Sequence, residues 1–120
     1  MQELSLAQKF QKDLWIKKQR DFAVIMRNGK LVQSRLLSLR YLKSALDYGR
    51  SGFVVSRHVG GAVIRNKVKR RLKEITRASR PQGAWDMVFI AKAGASQAKF
   101  AELKAEFDLL LKKAGLQARV

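Results

Sequence analysis

The sequence contains no cysteine, a single histidine and a single proline. The absence of cysteine excludes disulfides, thiolate zinc sites and cysteine nucleophiles, and one histidine cannot form a multi-histidine metal cluster or a two-histidine acid–base pair. No apolar run approaches the ~18 residues that a transmembrane helix needs. The N-terminus, MQELSLAQKF, lacks a basic region followed by an apolar stretch, so we expect no secretory signal and a cytoplasmic location.

Acidic side chains are also scarce. Nine Asp and Glu face 26 Lys and Arg, which gives a formal charge of +17 on 120 residues, 47% of them hydrophobic. Such a chain can bury a core, so we expect one soluble domain that binds a polyanion: nucleic acid first, an anionic membrane second. The basic residues are spread over several segments, which argues against a single membrane-binding helix. A basic protein without a specific partner is the remaining alternative, disfavoured because the charge is costly in self-repulsion.

Hydrophobic periodicity predicts an α+β fold in the order αβββαβα, over residues 15–120. The unit strand–helix–strand over residues 52–91 predicts a parallel pair within one mixed four-stranded sheet packed with three helices. Residues 1–14 are expected to be an extension of unclear order, either a marginal helix or a loosely docked segment. The predicted elements are a helix at 20–27, strands in 31–42 with a bend at 34–35, a strand at 52–57, a helix from 62 to about 79, a strand at 85–91 and a helix at 97–114.

Basic side chains are concentrated in residues 57–80, where nine of them accompany one acid, Glu74. The predicted last helix, 97–114, carries four bases and three acids instead. Both helices need a solvated face, so solubility alone does not explain the difference. The asymmetry indicates that residues 57–80 form the polyanion-binding face.

The spacing within that segment separates an apolar stripe from a basic face. The stripe consists of Ile64, Val68, Leu72 and Ile75, and the opposite face of Asn66, Arg70, Lys73 and Arg77. Bases four residues apart, such as Arg65 and Lys69, repel each other by a few tenths of a kcal/mol per pair. Phosphate groups would remove this repulsion, and a mixture of arginine forks and lysine point charges suits RNA. A merely solvated basic face is the alternative.

The segment GFVVSRHVGGAVIRNKVKRRLKE, residues 52–74, resembles the signature of the protein subunit of bacterial ribonuclease P. That pattern is a Gly-hydrophobic-Ser-Val-Ser strand, two basic residues, a Val-Gly-Asn-Ala-Val turn and an Arg-Asn-Arg-x-Lys-Arg helix. WIKKQRDF, residues 15–22, is similar to the opening Arg-Leu-Lys-x-x-x-Asp-Phe of the family, and residues 85–94 resemble its later strand and turn. The likeness spans about residues 15–116.

The resemblance implies the fold of ribosomal protein S5 domain 2 and a role in a ribonucleoprotein. Its expected partners are the catalytic ribonuclease P RNA and precursor tRNA with its 5′ leader, with no membrane and no small-molecule substrate. The RNA and its magnesium ions would hydrolyse the phosphodiester bond that releases the leader. The protein itself would hold no cofactor and would bind RNA through the basic helix.

Residue by residue, the resemblance assigns RNA binding to the basic helix and to the pair before its turn. Two more basic side chains, Lys73 and Arg77, lie further along the same helix face. The predicted RNA-binding residues are therefore Arg57, His58, Arg65, Asn66, Lys67, Lys69, Arg70, Lys73 and Arg77. Lys67 stands where arginine is usual, which replaces a bidentate contact by a point charge. Gly61 replaces the usual asparagine. For His58, a surface or packed residue is favoured over a pH-dependent role.

The resemblance also implies a cleft for the single-stranded leader between the first helix and the sheet. Its predicted residues are Phe22, Met26, Ser38 and Arg40. A nucleotide could stack on Phe22 or on the planar Arg40, although Phe22 could equally pack in the core. Met26 and Arg40 stand where aromatic residues are common, which predicts that leader binding depends more on charge than on stacking.

The acidic residues give no sign of an active site in the protein. The nine carboxylates are dispersed along the sequence, and a two-metal nuclease would need them clustered. We therefore expect no catalytic residue and no metal ligand. The alternatives left open are an autonomous nuclease, a ribosomal or other structural RNA-binding protein, and a helix-turn-helix DNA-binding module, which is disfavoured because the basic helix follows a strand.

Overall fold

A computed structural model describes residues 14–79 and 81–117. The helices are α1 (Gln19–Asn28), α2 (Ala62–Ser79) and α3 (Phe100–Ala114), and the strands are β1 (Lys30–Gln33), β2 (Leu37–Lys43), β3 (Arg50–Val54) and β4 (Trp85–Ala91). A short 3-10 turn, Ala93–Ser96, joins β4 to α3. The order αβββαβα is confirmed. Of the extension expected over residues 1–14, residues 1–13 lie outside the described residues.

The four strands form one mixed sheet in the order β1-β2-β4-β3. The pairs β1–β2 and β2–β4 are antiparallel, and β3–β4 is the predicted parallel pair. Strand β3 ends at Val54 rather than at residue 57. Residues 56–60 form turns there, with the Val59 N–H donating to the Ser56 carbonyl at 3.0 Å and the Gly60 N–H to the Arg57 carbonyl at 3.2 Å.

A short extended segment before α1 adds to the outer edge of β3. The Ile16 N–H donates to the Ser51 carbonyl at 2.8 Å, and the Ser51 N–H donates to the Leu14 carbonyl at 2.8 Å. These two bonds make an isolated parallel bridge between Trp15 and Ser51. The segment thereby places Trp15 beside α2.

The main core lies between one face of the sheet and the helices α2 and α3. Phe89 of β4 stacks on Phe107 of α3 with ring centroids 4.3 Å apart, and on Phe53 of β3 at 6.0 Å. Val68, Leu72 and Ile75 of α2 are buried in this core as predicted. Ile64 is 42% exposed, so its predicted place in the stripe is wrong. It lies over the turn instead, where a Cβ on Gly60 would come within 2.9 Å of its side chain.

Helix α1 crosses the opposite face of the sheet. Ile25 of α1 is buried with Ile16 and Val88 in a second, smaller cluster. The helix ends at Asn28, one residue beyond the predicted 20–27, and Gly29 follows it in an extended conformation (φ −73°). Glycine is required there by space, since a Cβ would lie 2.5 Å from the Ile25 carbonyl oxygen.

Helix α3 begins three residues later than predicted. Residues 93–96 take the 3-10 turn, in which the Ser96 hydroxyl donates to the Ala93 carbonyl at 3.1 Å. The helix starts where the Lys99 N–H donates to the Glu102 carboxylate at 2.9 Å. Gly115 ends it in the left-handed conformation (φ 76°), which glycine adopts without a Cβ penalty.

Candidate nucleic-acid interface

The predicted RNA-binding side chains lie on α2 and on the turn before it. Arg57 and His58 of the turn are exposed. On α2 the exposed members are Asn66, Lys67, Arg70 and Arg77, and the half-buried ones are Arg65, Lys69 and Lys73. All nine retain solvent access on one continuous segment. They form a basic surface, which we call the α2 face.

Arg71 belongs to the same segment but has a structural role. Its Nη1 donates to the Ala98 carbonyl at 3.0 Å and ties α2 to the start of α3. This contact could not be predicted from the sequence, because Arg71 is as basic as its neighbours and only the packing of α3 distinguishes it.

Trp15 lies beneath two side chains of the α2 face. The Lys73 Nζ is 5.6 Å from the Trp15 ring centroid and the Arg77 Cζ is 5.1 Å from it, distances at which a cation is attracted to the face of an indole. The same indole meets Phe53 of β3 at a centroid distance of 5.7 Å. Trp15 therefore links the basic helix to the edge of the sheet, a contact that no periodicity in the sequence indicates.

Phe22 packs against the sheet at a glycine. A Cβ on Gly52 would lie 2.6 Å from the Phe22 ring and 3.2 Å from the Ile16 Cβ. The ring is half-buried in the smaller cluster and keeps part of its surface in solvent. The position of Phe22 is thus compatible with both expectations: packing of its ring against the sheet and stacking of a nucleotide on its solvent-exposed part.

Met26, Ser38 and Arg40 share the α1 side of the sheet with Phe22. Across the strands Arg40 is aligned with Val88, and Val88 with Gly52, so the Phe22 contact and Arg40 lie two strand spacings apart, about 10 Å. The Arg40 Nη1 donates to the Gly29 carbonyl at 3.3 Å. The Ser38 hydroxyl donates to the Gln33 side chain at 3.4 Å, and Met26 is 38% exposed.

A cleft of about 310 Å³ opens at the outer edge of β3. It brings Phe22 together with Lys69 and Lys73 of the α2 face. The remaining lining is formed by Trp15, Ile16, Lys17, Ser51, Gly52 and Phe53. The other three predicted leader residues, Met26, Ser38 and Arg40, are not part of this lining. We call this space the edge cleft.

Helix α1 is fixed on the sheet by Arg50. Its guanidinium donates to both Asp86 oxygens, at 3.1 and 2.9 Å, and to Asp21 of α1 at 3.3 Å. The hydrogen bonds that Arg50 donates to Asp86 and Asp21, together with the negative charges of these two carboxylates, raise the pKa of Arg50 against the opposing effect of burial. Two carboxylates far apart in sequence are therefore joined through one cation.

Glu106 of α3 anchors the bend between β1 and β2. The Leu36 N–H donates to its Oε1 at 2.9 Å. Burial works to raise the pKa of Glu106, but hydrogen bonds from Leu36 and Ser34 and the charge of Arg35 lower it overall. The lowered pKa favours the ionised carboxylate, the form that accepts the hydrogen bond from Leu36.

Within residues 14–79 and 81–117, His, Asp and Glu side chains form no group of three or more that could hold a metal ion. Over the same residues, no helix is long and apolar enough to cross a membrane.

Comparison with known proteins places residues 10–115 within the family model described as Ribonuclease P. The chain is 36% identical over 106 residues to the ribonuclease P protein component of Syntrophomonas wolfei, covering 87% of this chain and 89% of that one. It is 37% identical over 103 residues to the protein component of Caldanaerobacter subterraneus, covering 84% and 89% of the two chains.

Two solved structures have the same fold. The RNase P protein of Staphylococcus aureus superposes with a TM-score of 0.83 at 29% identity, over 89% of this chain and all of the other. The RNase P protein from Thermotoga maritima gives a TM-score of 0.75 at 32% identity, over 82% and 94% of the two chains.

Proposed function

The chain belongs to the ribonuclease P protein family, and from this premise we propose that it is the RNA-binding subunit of a ribonucleoprotein that removes the 5′ leader from precursor tRNA. The α2 face binds the catalytic RNA. The leader lies on the α1 side of the sheet and in the edge cleft. The RNA and its magnesium ions hydrolyse the phosphodiester bond, and the assembly works in the cytoplasm.

The observation that carries the proposal is the segregation of basic side chains onto the α2 face. Lys67 and Arg70 are exposed there, and a free helix with so many like charges is weakened by their repulsion. Binding along a phosphate backbone removes that repulsion and releases counterions, which favours association at low salt.

The edge cleft supports the leader-binding part of the proposal. It combines the rings of Phe22 and Trp15 with the ammonium groups of Lys69 and Lys73. Single-stranded nucleic acid is held by this combination of stacking surfaces and backbone-directed charge, without need for sequence readout.

The role of the protein is to position RNA. Asp21 and Asp86, which lie together on the α1 side, are both engaged by Arg50. We therefore assign the chemistry to the RNA partner and give the protein the task of stabilising its complex with the substrate.

The test is cleavage of a leader-bearing precursor tRNA by a bacterial ribonuclease P RNA at a magnesium concentration too low for the RNA alone. We expect cleavage when the protein is added and none from the protein without the RNA. Cleavage by the protein alone would reveal an active site and overturn the assignment of chemistry. RNA binding without any rescue of cleavage would favour a structural RNA-binding protein instead.

A further inference from the structure

A second cleft lies on the other side of Trp15, away from α1. Its volume is about 400 Å³, and its lining includes Leu14, Trp15, Tyr48, Thr76, Arg77 and Met87. Met87 is 3% exposed and Thr76 8%, so the floor belongs to the folded core. We call this space the Tyr48 cleft.

The lining matches the chemistry of a nucleotide. Two aromatic side chains, Trp15 and Tyr48, and the thioether of Met87 offer a nonpolar pocket for a planar base. Arg77 also lines the cleft, with its Cζ 5.1 Å from the Trp15 ring centroid. A guanidinium in this position provides a fork for a phosphate next to the inserted base.

The position of Arg77 indicates which RNA would supply that nucleotide. Arg77 lies seven residues beyond Arg70 on α2, about two helical turns along the same face. An RNA backbone held by the α2 face would therefore reach the cleft. Phe22 lies across the sheet edge on the side of α1 and is not part of this lining.

We propose that the Tyr48 cleft receives one unpaired nucleobase of the catalytic RNA that lies along α2, with Arg77 binding the adjoining phosphate. This inference rests on the proposed function and adds a site to it. The base stacks on aromatic surface in the cleft, so this contact contributes affinity that does not depend on salt, beside the salt-dependent contacts of the α2 face.

The first test uses Tyr48→Ala, Tyr48→Phe and Leu46→Ala in the full-length protein, with affinity for ribonuclease P RNA measured over a range of salt concentrations. Removing a base-stacking ring is expected to weaken binding about 5- to 150-fold without changing the salt slope. Tyr48→Phe keeps the ring and should bind like the unmodified protein. Leu46 is an exposed apolar residue of the same loop that does not line the cleft, so Leu46→Ala should also leave binding unchanged.

The second test uses Arg77→Gln, at an exposed position of α2, with urea unfolding of the variant as the check that the fold is retained. We expect the slope of log K against log salt to fall by about one unit, as for one phosphate contact. Chemical probing of the RNA should show one unpaired nucleotide protected by the unmodified protein and reactive with Tyr48→Ala. Precursor tRNA alone should show no such protection.

The outcomes separate this inference from the proposed function. If the RNA binds through Lys67 and Arg70 while Tyr48→Ala changes neither affinity nor the probing pattern, only the base-binding cleft is wrong. If protection appears on the tRNA leader instead, the source of the base is wrong. If ribonuclease P RNA does not bind at all, the proposed function fails.

Discussion

Arg50 joins two carboxylates, Asp21 and Asp86, that lie 29 and 36 residues away from it in the sequence. Asp21, Arg50 and Asp86 show no relation in the sequence, where the acids appear only as dispersed charges. The parallel register aligns Arg50 with Asp86 across β3 and β4, and α1 then brings Asp21 to the same guanidinium. Ion pairing of this kind depends on register, which hydrophobic periodicity does not specify.

Arg50→Met is expected to destabilise the fold by about 3 kcal/mol, because it leaves the largely buried Asp86 carboxylate without its partner. Urea unfolding measures the effect. Arg35→Met is the control, since the Arg35 side chain is 67% exposed and its Nη2 lies 3.7 Å from the Glu102 carboxylate, and exposed pairs contribute about 1 kcal/mol or less. Equal losses for the two variants would contradict a buried role for Arg50.

Glu106 makes the stability of the fold sensitive to acid. Its pKa is lowered below its ordinary value of 4.5 on folding. Its contribution is therefore fully present above pH 4.5 and is lost as the pH falls through the lower, folded-state pKa. We expect Glu106→Gln to be less stable than the unmodified protein at neutral pH, with the difference shrinking in acid.

Urea unfolding at neutral pH and at a series of values below 4.5 measures this difference. Glu74→Gln, at an exposed position on α2, makes the same change in net charge. It therefore controls for the added repulsion among the basic side chains of the protein. A difference between Glu106→Gln and the unmodified protein that persists unchanged into acid would argue against the hydrogen bond from Leu36 as its source.

Among the elements, those with a strong apolar pattern could be predicted closely. The stripe and the proline at position 81 predict α2 at 62–79, as observed, and the apolar run predicts β4 at 85–91. Where hydrogen bonds decide the end of an element, the residue pattern predicts the boundary less accurately. Strand β3 ends three residues earlier than predicted, and α3 starts three residues later. The roles of Arg71 and Trp15 could not be predicted, because both depend on contacts between elements distant in sequence.

Helix α2 should account for most of the salt-dependent RNA affinity. Lys67→Ala combined with Arg70→Ala removes two exposed charges from the α2 face, and we expect weaker binding to ribonuclease P RNA with a salt slope reduced by about one unit per lost phosphate contact. Lys99→Ala combined with Lys112→Ala removes the same charge at exposed positions of and beside α3. If both pairs reduce affinity and slope alike, binding follows net charge rather than the α2 face.

Helix α1 should distinguish substrates that carry a leader from those that do not. Phe22→Ala removes the ring that lines the edge cleft, so affinity for leader-bearing tRNA is expected to fall more than affinity for mature tRNA in the assembled complex. Val24→Ala, at an exposed position of the same helix, is the control. Equal losses for the two tRNAs would mean that Phe22 serves only to pack α1 on Gly52.

On the scale of the whole molecule, the sheet separates two surfaces, and these surfaces meet at the outer edge of β3. The α2 face lies on one side and α1 with Arg40 and Ser38 on the other. The edge cleft joins them, since it contains Phe22 from one side and Lys69 and Lys73 from the other. The sequence predicted the residues but not this grouping, because the strand order β1-β2-β4-β3 decides which of them share an edge.

That strand order also affects how the chain can be assembled during synthesis. The last strand made, β4, is central and pairs with β2 on one side and β3 on the other. Until residues 85–91 have emerged from the ribosome, β1 and β2 can pair as a local hairpin, but β3 has no neighbouring strand of the sheet to pair with and the apolar stripe of α2 has no complete sheet to pack on. The nascent protein therefore completes its core only when it is nearly full length, and the pairing of distant strands makes this a comparatively slow step.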